Sequence, residues 1–413
     1  MTENVHLDLE FCRAFFPPIG NGVAYFENAG GSYVPLPVIQ RLTAFMERCQ
    51  NQPYGAYETS RMATALLETA ECRMAEMIGA ATEEIVIGPS TTLNIYVLAQ
   101  ALRASFEPGD EIIVTEQDHE ANGGAWRRLA DDGIVIKEWR IDPESGELDP
   151  ADLDDLLSER SRLVCFPHCS NVVGTINPVA EITAKAHAVG AMVCVDGVAY
   201  AAHARLDVKD WDVDFYLFSL YKLYGPHLAM LYGKREAMAR CQNQNHFFLE
   251  GKGSKILNPG GWNYESVAAL SGIIDYFDAV YAQHFEAEAN GLRGRLAAVF
   301  GLFAAQEEAL AGRFVDFLLS KPQVRLIGQK SGDRSLRMPT FSFSAEGRRS
   351  GEIAAYLAEQ QVAIGHGHFY GYRCVKALGF EDPLDGVVRA SMVHYNSNEE
   401  LDRLIAALDR VLT

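Results

Sequence analysis

Between Glu84 and Gly233 short apolar runs alternate with stretches of helical pattern, and few folds accept that alternation. Glu84-Ile-Val-Ile-Gly88, Asp110-Glu-Ile-Ile-Val-Thr115, Arg162-Leu-Val-Cys-Phe-Pro167 and Ala191-Met-Val-Cys-Val-Asp196 each read as a buried strand. Helical patterns such as Val179 to Val189 separate them. Strand and helix in alternation imply an α/β fold, a mainly parallel sheet with helices on both faces. The last part, Asp214 to Gly233, is apolar and aromatic almost throughout, and Gly225-Pro226 breaks it into strand, turn, strand. One lysine, Lys222, sits at that turn. A buried lysine loses stabilisation of its charge, so its amine becomes nucleophilic and forms Schiff bases with carbonyl compounds. On this stretch alone, a surface lysine snorkelling over aromatic neighbours fits as well.

Composition narrows the class. The chain has 413 residues, 48% of them hydrophobic and 22% charged, which suits a globular protein of two or three domains. No run of about 18 apolar residues and no basic-then-apolar N-terminus occurs, so neither a membrane span nor a signal peptide is expected, and a cytoplasmic protein is. A net charge of −19 argues against nucleic acid as a partner. Eight cysteines are scattered without CxxC spacing, which fits reduced thiols and no metal site.

Further motifs carry chemistry. Asp196 ends its strand, and ligands of open α/β sheets bind outside the carboxyl ends of strands. A carboxylate there and a lysine on the following strand–turn–strand unit match the needs of pyridoxal phosphate, whose ring nitrogen and aldehyde they would hold. Gly88-Pro-Ser90-Thr91-Thr92 turns a strand into a helix whose N-terminus suits an anion. Glu116-Gln-Asp-His119-Glu-Ala-Asn122, His168-Cys-Ser-Asn171, Tyr25-Phe-Glu-Asn28-Ala-Gly30-Gly31 and Val388-Arg389-Ala-Ser-Met-Val-His-Tyr-Asn396 complete the set.

On these motifs, from about Tyr25 to the C-terminus, the chain resembles the class V aminotransferases of pyridoxal phosphate fold type I. Within them it is similar to the cysteine desulfurase-like proteins. The resemblance implies a large cofactor-binding domain over 25–270 with a mainly parallel seven-stranded sheet. It implies a small C-terminal α/β domain over 271–413, including a connecting helix, and an N-terminal arm, 1–24, packing with the small domain. It implies pyridoxal 5'-phosphate bonded to Lys222, with Asp196 on the ring nitrogen and His119 stacked on the ring. Thr91, Thr92, Ser219 and Tyr221 join it in the cofactor site, and Asn171 serves cofactor oxygen or substrate. Arg389 and Asn28 would hold the substrate carboxylate end. A homodimer is implied, with Gly261 offering only a backbone N–H to the partner's phosphate where relatives have threonine.

The chain departs from that family where the desulfurases place their loop cysteine. The run Ala363-Ile-Gly-His366-Gly-His368-Phe369-Tyr370 has a phenol there, and Cys374 lies four residues on. A phenol cannot accept sulfane sulfur, because only a thiolate forms that S–S bond. Ala199 and Tyr221 replace the usual glutamine and histidine. The expected activity is therefore that of an enzyme working on an α-amino acid through an aldimine and a quinonoid, by C–S cleavage or another β-elimination. Lys222, His119 and Tyr370 are the expected catalytic residues. Transamination, epimerisation, desulfuration by Cys374 and non-catalytic cofactor binding stay open as alternatives.

Overall fold

The computed structural model describes residues 5–286 and 289–413. The strands β2 (Ile85–Gly88), β3 (Glu111–Thr115), β4 (Val135–Trp139), β5 (Ser161–Pro167), β6 (Met192–Asp196), β7 (Phe215–Ser219) and β8 (Ala229–Gly233) form one seven-stranded sheet. Their order is β2-β8-β7-β6-β5-β3-β4. Neighbours from β4 to β7 pair parallel, and only β8 runs against both of its neighbours. That reversal follows from the tight Gly225-Pro226 turn, because a short connection can only make an antiparallel pair.

Strands β6, β7 and β8 are buried at every residue, as a sheet covered on both faces requires. Alternate side chains enter different cores. Val193, Val195, Tyr216 and Phe218 pack with the helices Leu36–Cys49, Glu58–Ile78 and Ser271–His284. Met192, Cys194, Phe215 and Leu217 pack with the helices Thr91–Leu102 and Glu120–Arg127. The period of two is the pleat of the strand.

A second, antiparallel sheet has the order β12-β13-β10-β9, from β9 (Val324–Leu326), β10 (Thr340–Ala345), β12 (Gly365–Gly367) and β13 (Val387–Ser391). The helix Asn398–Leu412 covers it with Leu401, Leu404 and Leu408. The helical pattern of 264–318 divides into Tyr264–Ala269, Ser271–His284 and Gly291–Leu319. The last of these joins the two bodies: Leu292 to Phe303 belong to the large core, and Leu310 to Leu318 to the small one.

The N-terminal segment is tied to both. Its strand β1 (Ala24–Tyr25) pairs parallel with β11 (Val362–Ala363). Phe16 sits among Tyr224, Tyr276, His394 and Tyr395, and Arg13 reaches Glu400 at 2.9 Å. Among the described residues no helix is long and apolar enough to cross a membrane.

Candidate active site

Two chambers meet at Lys222. The inner one, about 520 Å³ counting the solvent space it opens onto, lies at the carboxyl ends of β5, β6 and β7. Thr91, Asn171, Asp196, Ser219 and Tyr221 are among its walls. The outer one, about 1100 Å³, is lined by Glu27, Gly30, Phe369, Tyr370 and Arg389. Thr92, His119, Asn171, Tyr221 and Lys222 face both.

The sheet positions the inner groups. Asp196 is the last residue of β6 and pairs in register with Leu217 of β7. Lys222 ends the 3-10 turn Leu220–Lys222 that follows β7. That turn is held by Leu220 N–H on Leu228 O and Gly225 N–H on Leu220 O, each 2.8 Å. Surrounding protein and the Arg389 charge depress the Lys222 pKa to about 8, with Asp196 and Glu27 acting against them. Burial raises Asp196 to about 6, opposed by the Val198 N–H at 2.9 Å and by Lys222.

His119 caps the helix Glu120–Arg127, its Nδ1 accepting from Ala121 N–H at 3.0 Å. That bond leaves Nε2 as the N–H tautomer. Burial and the charges of Lys222 and Arg389 push its pKa down to about 3, so the ring is neutral. Thr91, at the start of the helix Thr91–Leu102, shares a hydrogen bond of 2.8 Å with Ser219 Oγ. Asn171 donates to Phe369 O at 2.8 Å, and its Oδ1 is buried without a protein partner.

Residues brought together from afar build the outer chamber. The bridge Glu27↔Ser391, and Ala29 N–H on Ser391 Oγ at 2.7 Å, fasten residues 27–29 to β13. Arg389 of β13 is thereby placed against Glu27, Nη2 to Oε1 at 2.5 Å. Its Nη1 donates to Asn171 O at 3.1 Å, and the Phe369 ring lies 3.7 Å away. Glu27 and Phe369 were not singled out from sequence. Glu27 lies 362 residues from its partner, and nothing local marks it.

Two expectations need correction. Asn28 does not face either chamber: its amide donates to Ser391 O and Asn396 Oδ1 and accepts from Tyr395 OH. Its neighbours Ala29 and Gly30 line the outer chamber instead. Tyr370 is 71% exposed at the outer rim rather than beside a buried centre. Its backbone, like that of Phe369, is left-handed, with φ of 61° and 49°. Its carbonyl accepts from Glu120 N–H at 2.8 Å, and its ring lies 5.3 Å from His119. Cys374 is buried in the short helix Tyr372–Ala377, and burial raises its thiol to about 12. It lines neither chamber, the placement of a buried structural thiol. Gly261 is exposed and lines neither chamber of its own chain.

The family model described as aminotransferase class-V matches residues 24–404. The aminotransferase-like protein FGM3 of Gibberella zeae is 39% identical, covering 98% of each chain. The cysteine desulfurase-like protein ustD of Aspergillus flavus is 34% identical, over 100% of this chain and 92% of that one. The apo structure of a cysteine desulfurase from Thermococcus onnurineus superposes with a TM-score of 0.86 at 26% identity, covering 98% of each chain.

Proposed function

Because this chain belongs to the aminotransferase class-V family and is a pyridoxal phosphate-dependent enzyme, we propose that it cleaves a β-substituent from an α-amino acid, with a C–S bond as the leading case. The inner chamber fits the cofactor. It combines a helix N-terminus, hydroxyls, a buried carboxylate, a flat neutral imidazole and an amine of lowered pKa. The unpartnered Asn171 Oδ1 at its wall also lacks what a bound group would supply. When bound, pyridoxal phosphate supplies an electron sink for bonds broken at Cα.

The chain's own residues do the rest. Thr91, Thr92, Ser219 and Tyr221 would take the phosphate, aided by the helix dipole. Asp196 would hold the ring nitrogen protonated, His119 would lie against the ring, and Asn171 would meet its oxygen. Lys222 would hold the cofactor aldehyde, and its free amine would be the base that moves the proton at the substrate Cα. Its lowered pKa leaves about a tenth of the amine unprotonated at pH 7, far more than an ordinary lysine keeps, as a base requires. Arg389 takes the substrate carboxylate. Tyr370, at the outer rim, hands a proton to the leaving group.

The observation that carries elimination over desulfuration is the lack of a usable thiol. Among the described residues Cys169 is the one cysteine lining either chamber, and its Sγ donates to Gly174 O at 3.1 Å. Burial raises it to about 12. The test is incubation with L-cysteine and with S-substituted cysteines, assaying pyruvate and the released thiol, then alkylating and mapping persulfides by mass spectrometry. Pyruvate with no protein persulfide is expected. A persulfide on Cys374, or an amino acid returned with its β-substituent intact as a keto acid or an epimer, overturns the reading.

We further propose a homodimer, in which Gly261 lies near the site of the other copy. The apolar side chains Ile39, Met46, Met62 and Leu93, exposed in the single chain, support it.

A further inference from the structure

Arg389 has a carboxylate on it already. Glu27 Oε1 meets its Nη2 at 2.5 Å, and both residues line the outer chamber together with Lys222. We propose that Glu27 is a resident competitor for the carboxylate site: it holds Arg389 until a substrate carboxylate displaces it, and so sets how tightly the chain binds amino acids. The proposal rests on Arg389 being the carboxylate anchor, and it adds a positioning residue acting through it.

Three features separate this pair from a permanent structural ion pair. First, it is incomplete. Glu27 uses one oxygen, and Glu27 Oε2 and Arg389 Nε are both buried without a partner. A buried pair that serves stability alone satisfies its donors and acceptors, ideally through the two-pronged Arg–carboxylate fork. Here the Nε–H that would complete the fork is left for another oxygen.

Second, the two partners are held very differently. The Arg389 side chain is 2% exposed, gripped by Asn171 O and by the Phe369 ring. The Glu27 side chain is 24% exposed, and Arg389 is the one hydrogen-bond partner its carboxylate has among the described residues. The guanidinium is fixed, and the carboxylate has an exit.

Third, the backbone leaves room for the carboxylate and little else. A Cβ on Gly30 would come 2.8 Å from Glu27 Oε1, and one on Gly365 would come 2.5 Å from Oε2. Gly365 is the register partner of Arg389 across β12 and β13. Two glycines from opposite ends of the chain therefore form the slot in which the carboxylate rests beside the guanidinium. An acid lying in a slot open to the substrate chamber competes with any acid the substrate brings, because both want the same N–H groups and repel each other.

Calorimetry on the holoenzyme tests this with L-alanine and with ethylamine, its counterpart lacking the carboxylate. Glu27→Gln, of equal size and uncharged, is expected to bind alanine about tenfold more tightly while ethylamine stays within about twofold of wild type. Gly30→Ala, which crowds Glu27 out of its slot without altering its charge, is expected to act in the same direction. Alanine binding unchanged or weakened in Glu27→Gln overturns the proposal, as does equal tightening of both ligands. Arg389→Ala separates the layers. If it loses the preference for alanine over ethylamine while Glu27→Gln gains nothing, only the role of Glu27 fails. If the preference survives in Arg389→Ala, the anchor itself was misassigned.

Discussion

At the scale of single residues, Lys222 is the most exposed to test. Lys222→Ala is expected to lose every cofactor–protein bond that borohydride fixes, and a fixed bond to another lysine would reassign the site. The amine's pKa, lowered to about 8, gives this a pH dependence. Below that value the amine is protonated and does not attack a carbonyl. The rate at which cofactor-free protein captures pyridoxal phosphate is therefore expected to rise through pH 8 and to level off well before 10.5, read by absorbance. Arg389→Ala is expected to raise KM for the amino acid about tenfold to 150-fold, the worth of about 1.5–3 kcal/mol for a charge-assisted bond, with cofactor retained. Tyr370→Phe is expected to lower kcat and spare cofactor binding, whereas Cys374→Ser, buried away from both chambers, leaves turnover unchanged. A dead Cys374→Ser with an active Tyr370→Phe would reverse these roles.

At the scale of elements, the turn after β7 fixes where the lysine stands. A Cβ on Gly225 would lie 2.9 Å from Leu220 O and 3.0 Å from Ile273 Cδ1, so the turn must move to admit it. Gly225→Ala is expected to cost about 1–3 kcal/mol by overpacking and to slow cofactor capture, measured by thermal melting and borohydride trapping. Capture at the wild-type rate would show that the turn tolerates the shift. This turn was legible in sequence, because apolar runs, Gly225-Pro226 and a strand-end Asp196 are local signals. Strand order was not, since it depends on which edges meet in space. The pairing of Arg389 with Glu27 escaped for the same reason. The left-handed backbone of Phe369 and Tyr370 escaped because neither residue is a glycine, the residue that usually marks such a conformation. Asn28 was misplaced because a short motif locates the backbone near a site without saying where the amide turns.

At the scale of the whole molecule, the single chain leaves Gly261 and the apolar side chains of Ile39, Met46, Met62 and Leu93 exposed. Sedimentation at micromolar concentration is expected to give a dimer, and a fully active monomer would refute it. The division into two chambers has a separate consequence, which concerns change over generations. The inner chamber is made by strand ends of the seven-stranded sheet, where a substitution disturbs the central core. The outer one draws Glu27, Gly30, Phe369, Tyr370 and Arg389 from the N-terminal segment, the loop after β12 and the small sheet. Drift in those outer segments can alter what is recognised while the means of activating it is inherited intact. Descendants of such a chain are free to diverge in diet before they diverge in chemistry.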